Sequence, residues 1–255
     1  MIYHERYMSS LFDEVVFNNS FYKEAEMKKI IILGTIILLM GIISFSSHHI
    51  IGPTEAIGQG VRKVLMIPRE GYSSDLDQAI KMEVGVMTML LKKAGLEVDI
   101  ATTSGRPILG PTQKIEKVLI LSEVNVTNYV GVIMPCMAVG MFPGPPVSPE
   151  AVAVVKKVLT DGKPVAAAAN SSIILAEAGV LKGKKYAFAE DPLKTSEMWK
   201  RKDPRFEGAI YSGPGVVQDG KIITSGACPM IERTYGLPNN TVELTQSFIA
   251  AIGPK

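Results

Sequence analysis

The segment Val165–Gly179, VAAAANSSIILAEAG, decides the fold: a run of small apolar residues passes without a linker into an amphipathic stretch closed by glycine. A buried strand that turns this sharply into a helix belongs to an α/β sheet, and the turn is where many such enzymes mount a nucleophile. Here its apex carries alanine, so the scaffold of an enzyme is present without the side chain that would act.

Working outward, the chain from Arg62 onward alternates short β-rich runs with amphipathic stretches, the pattern of crossover units and a mostly parallel sheet. The spacing predicts strands over 64–68 and 98–101, a short strand over 118–121, and stronger ones over 130–135 and 164–169. Helices are expected over 76–94, ended by Gly95, and over 149–160, ended by Asp161 and Gly162. A strand is expected over 186–189 and a closing helix over 242–252. Asp219-Gly220 between Val217 and Ile222 reads as the tight turn of a hairpin. The segment 194–208, with the sole tryptophan, Trp199, reads as a charged irregular loop, and MFPGPPVSP (141–149) as a surface loop. The fold class is α/β, a flavodoxin-like three-layer sandwich.

With 255 residues, 47% hydrophobic and 20% charged, the chain can bury a full core in a single domain over 62–255. A formal charge of +2, with basic and acidic residues interleaved, excludes a nucleic-acid partner. The N-terminal part differs in kind. Lys28 and Lys29 precede an uninterrupted apolar run, 30–43, followed by small residues to Ser47, the order of a secretory signal. The run is short against the roughly 20 residues of a membrane span, which favours a signal peptide over 27–47 and leaves an anchor as the alternative. Either way the domain is expected outside the cytoplasm, secreted or tethered, with the membrane contacted through this segment alone. Residues 1–26 fit neither signal nor domain, and Met27 is read as the native start. Residues 48–61 form a linker.

All three histidines, His4, His48 and His49, precede the domain. A Ser-His-Asp triad, a Cys-His dyad and a histidine-ligated zinc site are thereby excluded inside it, and no metal or cofactor is expected. The two cysteines, Cys136 and Cys228, each follow a strand on the carboxyl side, where the sheet borders one crevice. Three readings stay open for them: buried free thiols, a disulfide, or a displaced reactive thiol. Asn170 and Ser171 stand where a helix begins, and capping is the expected role of their side chains.

Several segments, KVLMIPREGYSSDLDQ, LLKKAGLEVDIAT, YVGVIMP, GKPVAAAANSSIILAEAGVLKGKK and VVQDGKIITSG, resemble the ThiJ/PfpI superfamily, whose fold is that of class I glutamine amidotransferases. The likeness covers Val61–Ile252. It implies a cysteine nucleophile at the elbow, where this chain has Ala169, then Asn170 and Ser171. It also implies two glycines whose amides build an anion pocket, where this chain has Cys136 and Met137. The family's acidic partner of the cysteine is matched to Asp77, with Asp75 as the alternative, and the position of a histidine found in some members falls near Asp191. Self-association, as a homodimer or larger homo-oligomer, is implied by the same resemblance.

Together these readings describe an exported member without the family's cysteine-dependent catalysis. Its crevice is expected to bind a small anionic or carbonyl compound through Asp77, Cys136, Met137, Asn170, Ser171, Asp191 and Cys228. The alternative is a hydrolase, peptidase or glyoxalase-type enzyme acting through Cys136, Cys228 or Ser171.

Overall fold

The computed structural model describes residues 60–70, 75–137, 147–195, 197, 198 and 200–254. The expected signal segment, most of the MFPGPPVSP loop and Trp199 lie outside them. Among the described residues no helix is long and apolar enough to cross a membrane.

The first strand, β1 (Lys63–Met66), alternates its side chains, so that Val64 and Met66 enter one core and Leu65 and Ile67 the other. A continuous helical stretch follows: Leu76–Gln78, a wider π-helical segment Ala79–Val84, and Gly85–Lys93, together α1. It ends at Ala94 and Gly95, whose φ of +76 suits glycine. Next come β2 (Glu97–Thr102), the two-residue strands β3 (Ile108–Leu109) and β4 (Lys114–Ile115), β5 (Leu119–Ile120) and β6 (Tyr129–Met134). Helix α2 (Pro149–Thr160) begins where Ser148 accepts the Ala151 amide at 3.2 Å and Pro149 supplies a first-turn residue with no amide to satisfy.

β7 (Val165–Ala168) leads through one 3₁₀ turn, Ala169–Ser171, into α3 (Ser172–Glu177). The remaining elements are β8 (Lys185–Tyr186), β9 (Ile210–Tyr211), β10 (Val216–Asp219), β11 (Ile222–Ser225), α4 (Pro229–Tyr235) and α5 (Thr241–Ile252). β8 pairs with β9 in a small sheet of its own instead of joining the main one, and β3 with β4 likewise. The β10–β11 hairpin turns at Gly220, φ +63, as the Asp-Gly pair predicts.

The main sheet has seven strands in the order β10-β11-β7-β6-β1-β2-β5, parallel throughout except for β10. One face is covered by α1 and α5, which share a core with Val64, Met66, Ile133, Ala166 and Phe248. The other face is covered by α2 and α3, packed on Leu65, Val132, Met134, Val165 and Ala167. Gly131 permits the first of these layers: a Cβ there would stand 2.8 Å from the Phe248 ring and from the Pro164 carbonyl. Chain order reverses between β1 and β6, and the carboxyl ends of β1, β6, β7 and β11 open on the same side. This is where ligands bind in open parallel sheets.

Candidate functional site

Ala169 stands at the elbow with φ +45, a left-handed backbone that alanine adopts only under constraint. The constraint comes from its neighbours. The side chain is buried among Ala189, Ala227, Cys228 and Ile231, and the next residues are drawn into the helix. Ser171 is wholly buried, and its hydroxyl donates to the Pro135 carbonyl and accepts the Met137 amide at 3.1 Å. The capping role expected of Ser171 is therefore corrected: no side chain caps this helix, and the hydroxyl ties the elbow to the loop after β6.

Beside the elbow lies a cavity of about 360 Å³. Its walls carry Arg69 from the loop after β1, Gln78 and Glu83 from α1, Cys136 after β6, Asn170 at the elbow and Cys228 after β11. Met137 also faces it, whereas Ser171, Asp77 and Asp191 do not line it.

Asp77 belongs elsewhere. Its carboxylate accepts the amides of Thr112 and Gln113 and the Thr112 hydroxyl, at 2.6 to 3.0 Å, and so pins the β3–β4 hairpin to α1. Desolvation pushes its pKa up, but these donors outweigh it and hold the carboxyl below its ordinary range. Asp75, the alternative, pairs with Arg69. Asp191 accepts the Leu193 amide at 3.1 Å and pairs with Lys194 at 3.5 Å, closing its own turn. The expectations for Asp77 and Asp191 at the crevice are corrected accordingly.

The acid at the site is Glu83, which is 2% exposed. The π-helical segment of α1 carries it, and its Oε1 accepts the Cys136 amide at 2.8 Å. Burial raises its pKa well above the usual carboxylate range, the nearby Cys228 sulfur raises it further, and the Cys136 amide offsets a part. The neutral carboxylic acid is thereby favoured.

The two cysteines are free and line the same cavity, and the Cys136 S–H donates to the Met137 carbonyl at 3.9 Å. The neighbouring Cys136 thiol lowers the Cys228 pKa. Burial opposes it, the amides of Ile231 and Met230 at the start of α4 reinforce it, and the balance falls at about 7. Cys136 moves the other way, well above the ordinary thiol range, because of the neighbouring Cys228 thiol, its desolvation, and the charge of Cys228 and Glu83; the Asn170 amide offsets a part. Proton loss thus begins at Cys228, with the pair sharing the resulting charge.

Two acceptors complete the geometry. Gln78 donates through Nε2 to the Pro229 carbonyl at 3.2 Å, but its Oε1 and the Oδ1 of Asn170 are buried without a hydrogen-bond partner among the described residues. Both residues line the cavity, and buried acceptors of this kind call for donors. Among the described residues, no three His, Cys, Asp or Glu side chains are spaced to hold a metal ion.

Glu83 is the residue that sequence reasoning missed. A signal was there: Leu76, Ile80, Glu83, Met87 and Leu90 recur at helical spacing, which puts this charged residue on the apolar stripe that faces the core.

The comparisons with known proteins bear on this arrangement. A model of the DJ-1/PfpI family matches residues 74–233. An uncharacterized protein of Methanocaldococcus jannaschii is 34% identical over 146 residues, 56% of this chain and 66% of that one. A protein of Thermococcus kodakarensis named as a deglycase is 31% identical over 165 residues, 64% of this chain and 89% of that one. Among solved structures, a ThiJ/PfpI domain protein from Brachyspira murdochii superposes with a TM-score of 0.52 at 15% identity, covering 74% of this chain and 95% of that one. Drosophila melanogaster DJ-1beta gives 0.50 at 18% identity, covering 76% and 91%. At such identities the two structures speak to the fold alone.

Proposed function

The chain belongs to the DJ-1/PfpI family, and from that premise we propose that its crevice takes a small carbonyl compound and that the reacting thiol has moved from the elbow to Cys228. One observation carries the reading: Cys228, Cys136 and a buried Glu83 converge on one cavity, while the elbow apex beside them bears only a methyl group.

The chemistry follows from the protonation states. The Cys228 thiolate adds to the carbonyl carbon, forming a C–S bond, and the π electrons move to oxygen. The developing alkoxide takes the proton of the Glu83 carboxylic acid, whose environment favours that form. Arg69 on the cavity wall, one of whose guanidinium nitrogens is paired with Asp75, suits a substrate with a carboxylate or a second polarised oxygen. The free acceptors of Gln78 and Asn170 suit the hydroxyl hydrogens of a hydrated carbonyl or of the adduct. A cavity of about 360 Å³ admits a few-carbon compound. Deglycation, the activity in the name of the Thermococcus protein, concerns adducts formed by carbonyl compounds and so falls within this class.

A second reading, binding without turnover, has one observation in its favour. The Cys136 and Met137 amides, which the family resemblance assigns to an anion pocket, are taken by Glu83 and Ser171. Consumption of a two-carbon or three-carbon dicarbonyl by the wild type and by Cys228→Ala separates the two. Turnover is expected in the wild type and a drop of about a thousandfold or more in the variant. Turnover indifferent to Cys228→Ala sinks the first reading; tight binding of the dicarbonyl without turnover establishes the second. Export, which rests on Lys28, Lys29 and the apolar run after them, belongs to the same proposal and is tested by sequencing the N-terminus of the native protein.

A further inference from the structure

We propose that Cys228 and Cys136 form a peroxide-reducing dithiol pair that closes to a disulfide and so switches off the crevice. This rests on Cys228 as the reacting thiol of the cavity and extends that assignment to its regulation.

Three geometric facts support the pair. Cys136 and Cys228 line one cavity and pack into one apolar cluster, although the residues come from the ends of two strands that are not neighbours in the sheet. Cys228 stands at the start of α4, where the amides of Met230 and Ile231 favour negative charge on its sulfur. Glu83 is buried beside both, with its Oε1 fixed by the Cys136 amide and its acid form favoured by burial. The titratable and charged groups on the cavity wall with the pair are Glu83 from α1, Tyr235 from α4 and Arg69 from the β1 loop, the last already paired with Asp75.

Access selects the oxidant. Cys228, which lines the cavity, is 1% exposed, while Cys136 is only half-buried. Hydrogen peroxide or a small alkyl hydroperoxide reaches such a sulfur, whereas a bulky disulfide does not.

The steps balance. The Cys228 thiolate attacks one oxygen of the hydroperoxide, so that an S–O bond forms and the O–O bond breaks. The departing alkoxide or hydroxide takes the Glu83 proton and leaves as alcohol or water. Cys228 is now a sulfenic acid. The Cys136 sulfur then attacks the Cys228 sulfur; the S–S bond forms, the S–O bond breaks, and hydroxide leaves with the Cys136 proton as water. Peroxide has been reduced and two thiols oxidised, and a small thiol reductant returns the pair to its starting state. In the oxidised form neither sulfur can add to a carbonyl.

The test uses the full-length reduced protein and one equivalent of hydrogen peroxide, followed by denaturation, alkylation and intact mass. The chain has two cysteines, so the mass assigns the product without mapping. The expected wild-type product has lost two hydrogens, takes up no alkylating agent, and regains both thiols after dithiothreitol. Cys136→Ser is expected to stop at one added oxygen, trapped by dimedone on Cys228. Cys228→Ser is expected to keep an alkylatable Cys136. A wild type that retains two alkylatable thiols, accumulates two oxygens on one cysteine, or links into a covalent dimer overturns the proposal, and the wild-type arm decides this whether or not either variant folds. The readout does not involve a carbonyl compound. Disulfide formation without dicarbonyl turnover therefore condemns the proposed function alone, and turnover without disulfide formation condemns the switch alone.

Discussion

The carboxyl ends of β7 and β11 lie side by side in the sheet and treat the residues just beyond the strand in opposite ways. After β7, Ala169 is held at φ +45 and carries no reactive atom. Three residues after β11, Cys228 sits in relaxed extended backbone, φ −118 and ψ 173, at the start of α4, and its thiol shares a cavity with that of Cys136. On the proposed reading, backbone strain and chemical function have come apart. The strained turn seats Ser171 against the Pro135 carbonyl and the Met137 amide, while the reactive character is assigned by that proposal to the unstrained neighbour. An outlying backbone angle is thus a guide to where a site is, not to which residue acts there.

The largest expected effect tests the β11 side. With a Cys228 pKa of about 7, its alkylation by iodoacetamide should rise about fiftyfold between pH 5 and pH 7 and only about twofold more above it, since only the thiolate reacts. Cys136→Ala removes the neighbouring thiol that lowers the Cys228 pKa and should move the midpoint upward, toward the ordinary thiol value. Stopped-flow or mass-resolved alkylation rates across pH check both; a wild-type midpoint at or above that of the variant breaks the contrast.

Glu83 links the two strand ends and predicts the next effect. Its folded pKa is raised, so the folded state binds its proton more tightly than the unfolded chain does. Stability is then intact below the ordinary glutamate pKa and is lost as pH rises from there toward the raised folded value. The loss amounts to about 1.4 kcal/mol for each pH unit separating the two pKa values. Glu83→Gln keeps an acceptor for the Cys136 amide and removes the titration, so its stability should exceed that of the wild type increasingly above the ordinary glutamate pKa. Urea denaturation at several pH values measures this; parallel pH dependences for the two proteins would place Glu83 in a more polar setting than its burial implies.

How much of this was legible in the chain differs between the two levels. The sheet and its helices were, because long segments repeat at one period: α2 runs over Pro149–Thr160 as its apolar spacing and proline-first start require, and the Asp-Gly turn locates the β10–β11 hairpin. The two-residue strands β3 and β4 are too short to carry a period, and β8 leaves the main sheet by pairing that no local pattern encodes. At the site, the convergence of Cys136, Asn170 and Cys228 follows from strand order alone. Glu83 was hidden by the rule that a helical carboxylate faces water, and Asp77 drew the assignment because it stands nearer the turn, although its carboxylate serves the Thr112–Gln113 amides. Family spacing pointed to the first turn; burial decided in favour of the residue two turns later.

Ser171 tests the elbow side. Its hydroxyl bonds the Pro135 carbonyl and the Met137 amide in a buried setting, so Ser171→Ala leaves two backbone groups without partners, at a cost of about 1–3 kcal/mol. A lower unfolding midpoint with an unchanged Cys228 alkylation profile would keep the division between a structural elbow and a reactive neighbour. A shift of that profile to higher pH would show the elbow tuning the thiol.

The smallest effect is the most direct probe of the strain itself. Ala169→Gly removes a Cβ from a backbone conformation that costs alanine about 1 kcal/mol or slightly more, but glycine also gives the unfolded chain more freedom, worth roughly 0.5–1 kcal/mol. The lost methyl contact with Ala189, Ala227 and Cys228 subtracts a little more. These terms nearly cancel, so the variant should unfold within about 1 kcal/mol of the wild type. Ala169→Val adds a β-branched side chain to the same left-handed backbone in a filled space and should destabilise by more than the glycine variant does. If glycine instead stabilises by several kcal/mol, the elbow is a heavy load that the surroundings do not balance; retention of alanine there would then require a role for its methyl group against Cys228, and the separation of strain from chemistry would fail at the residue that introduced it.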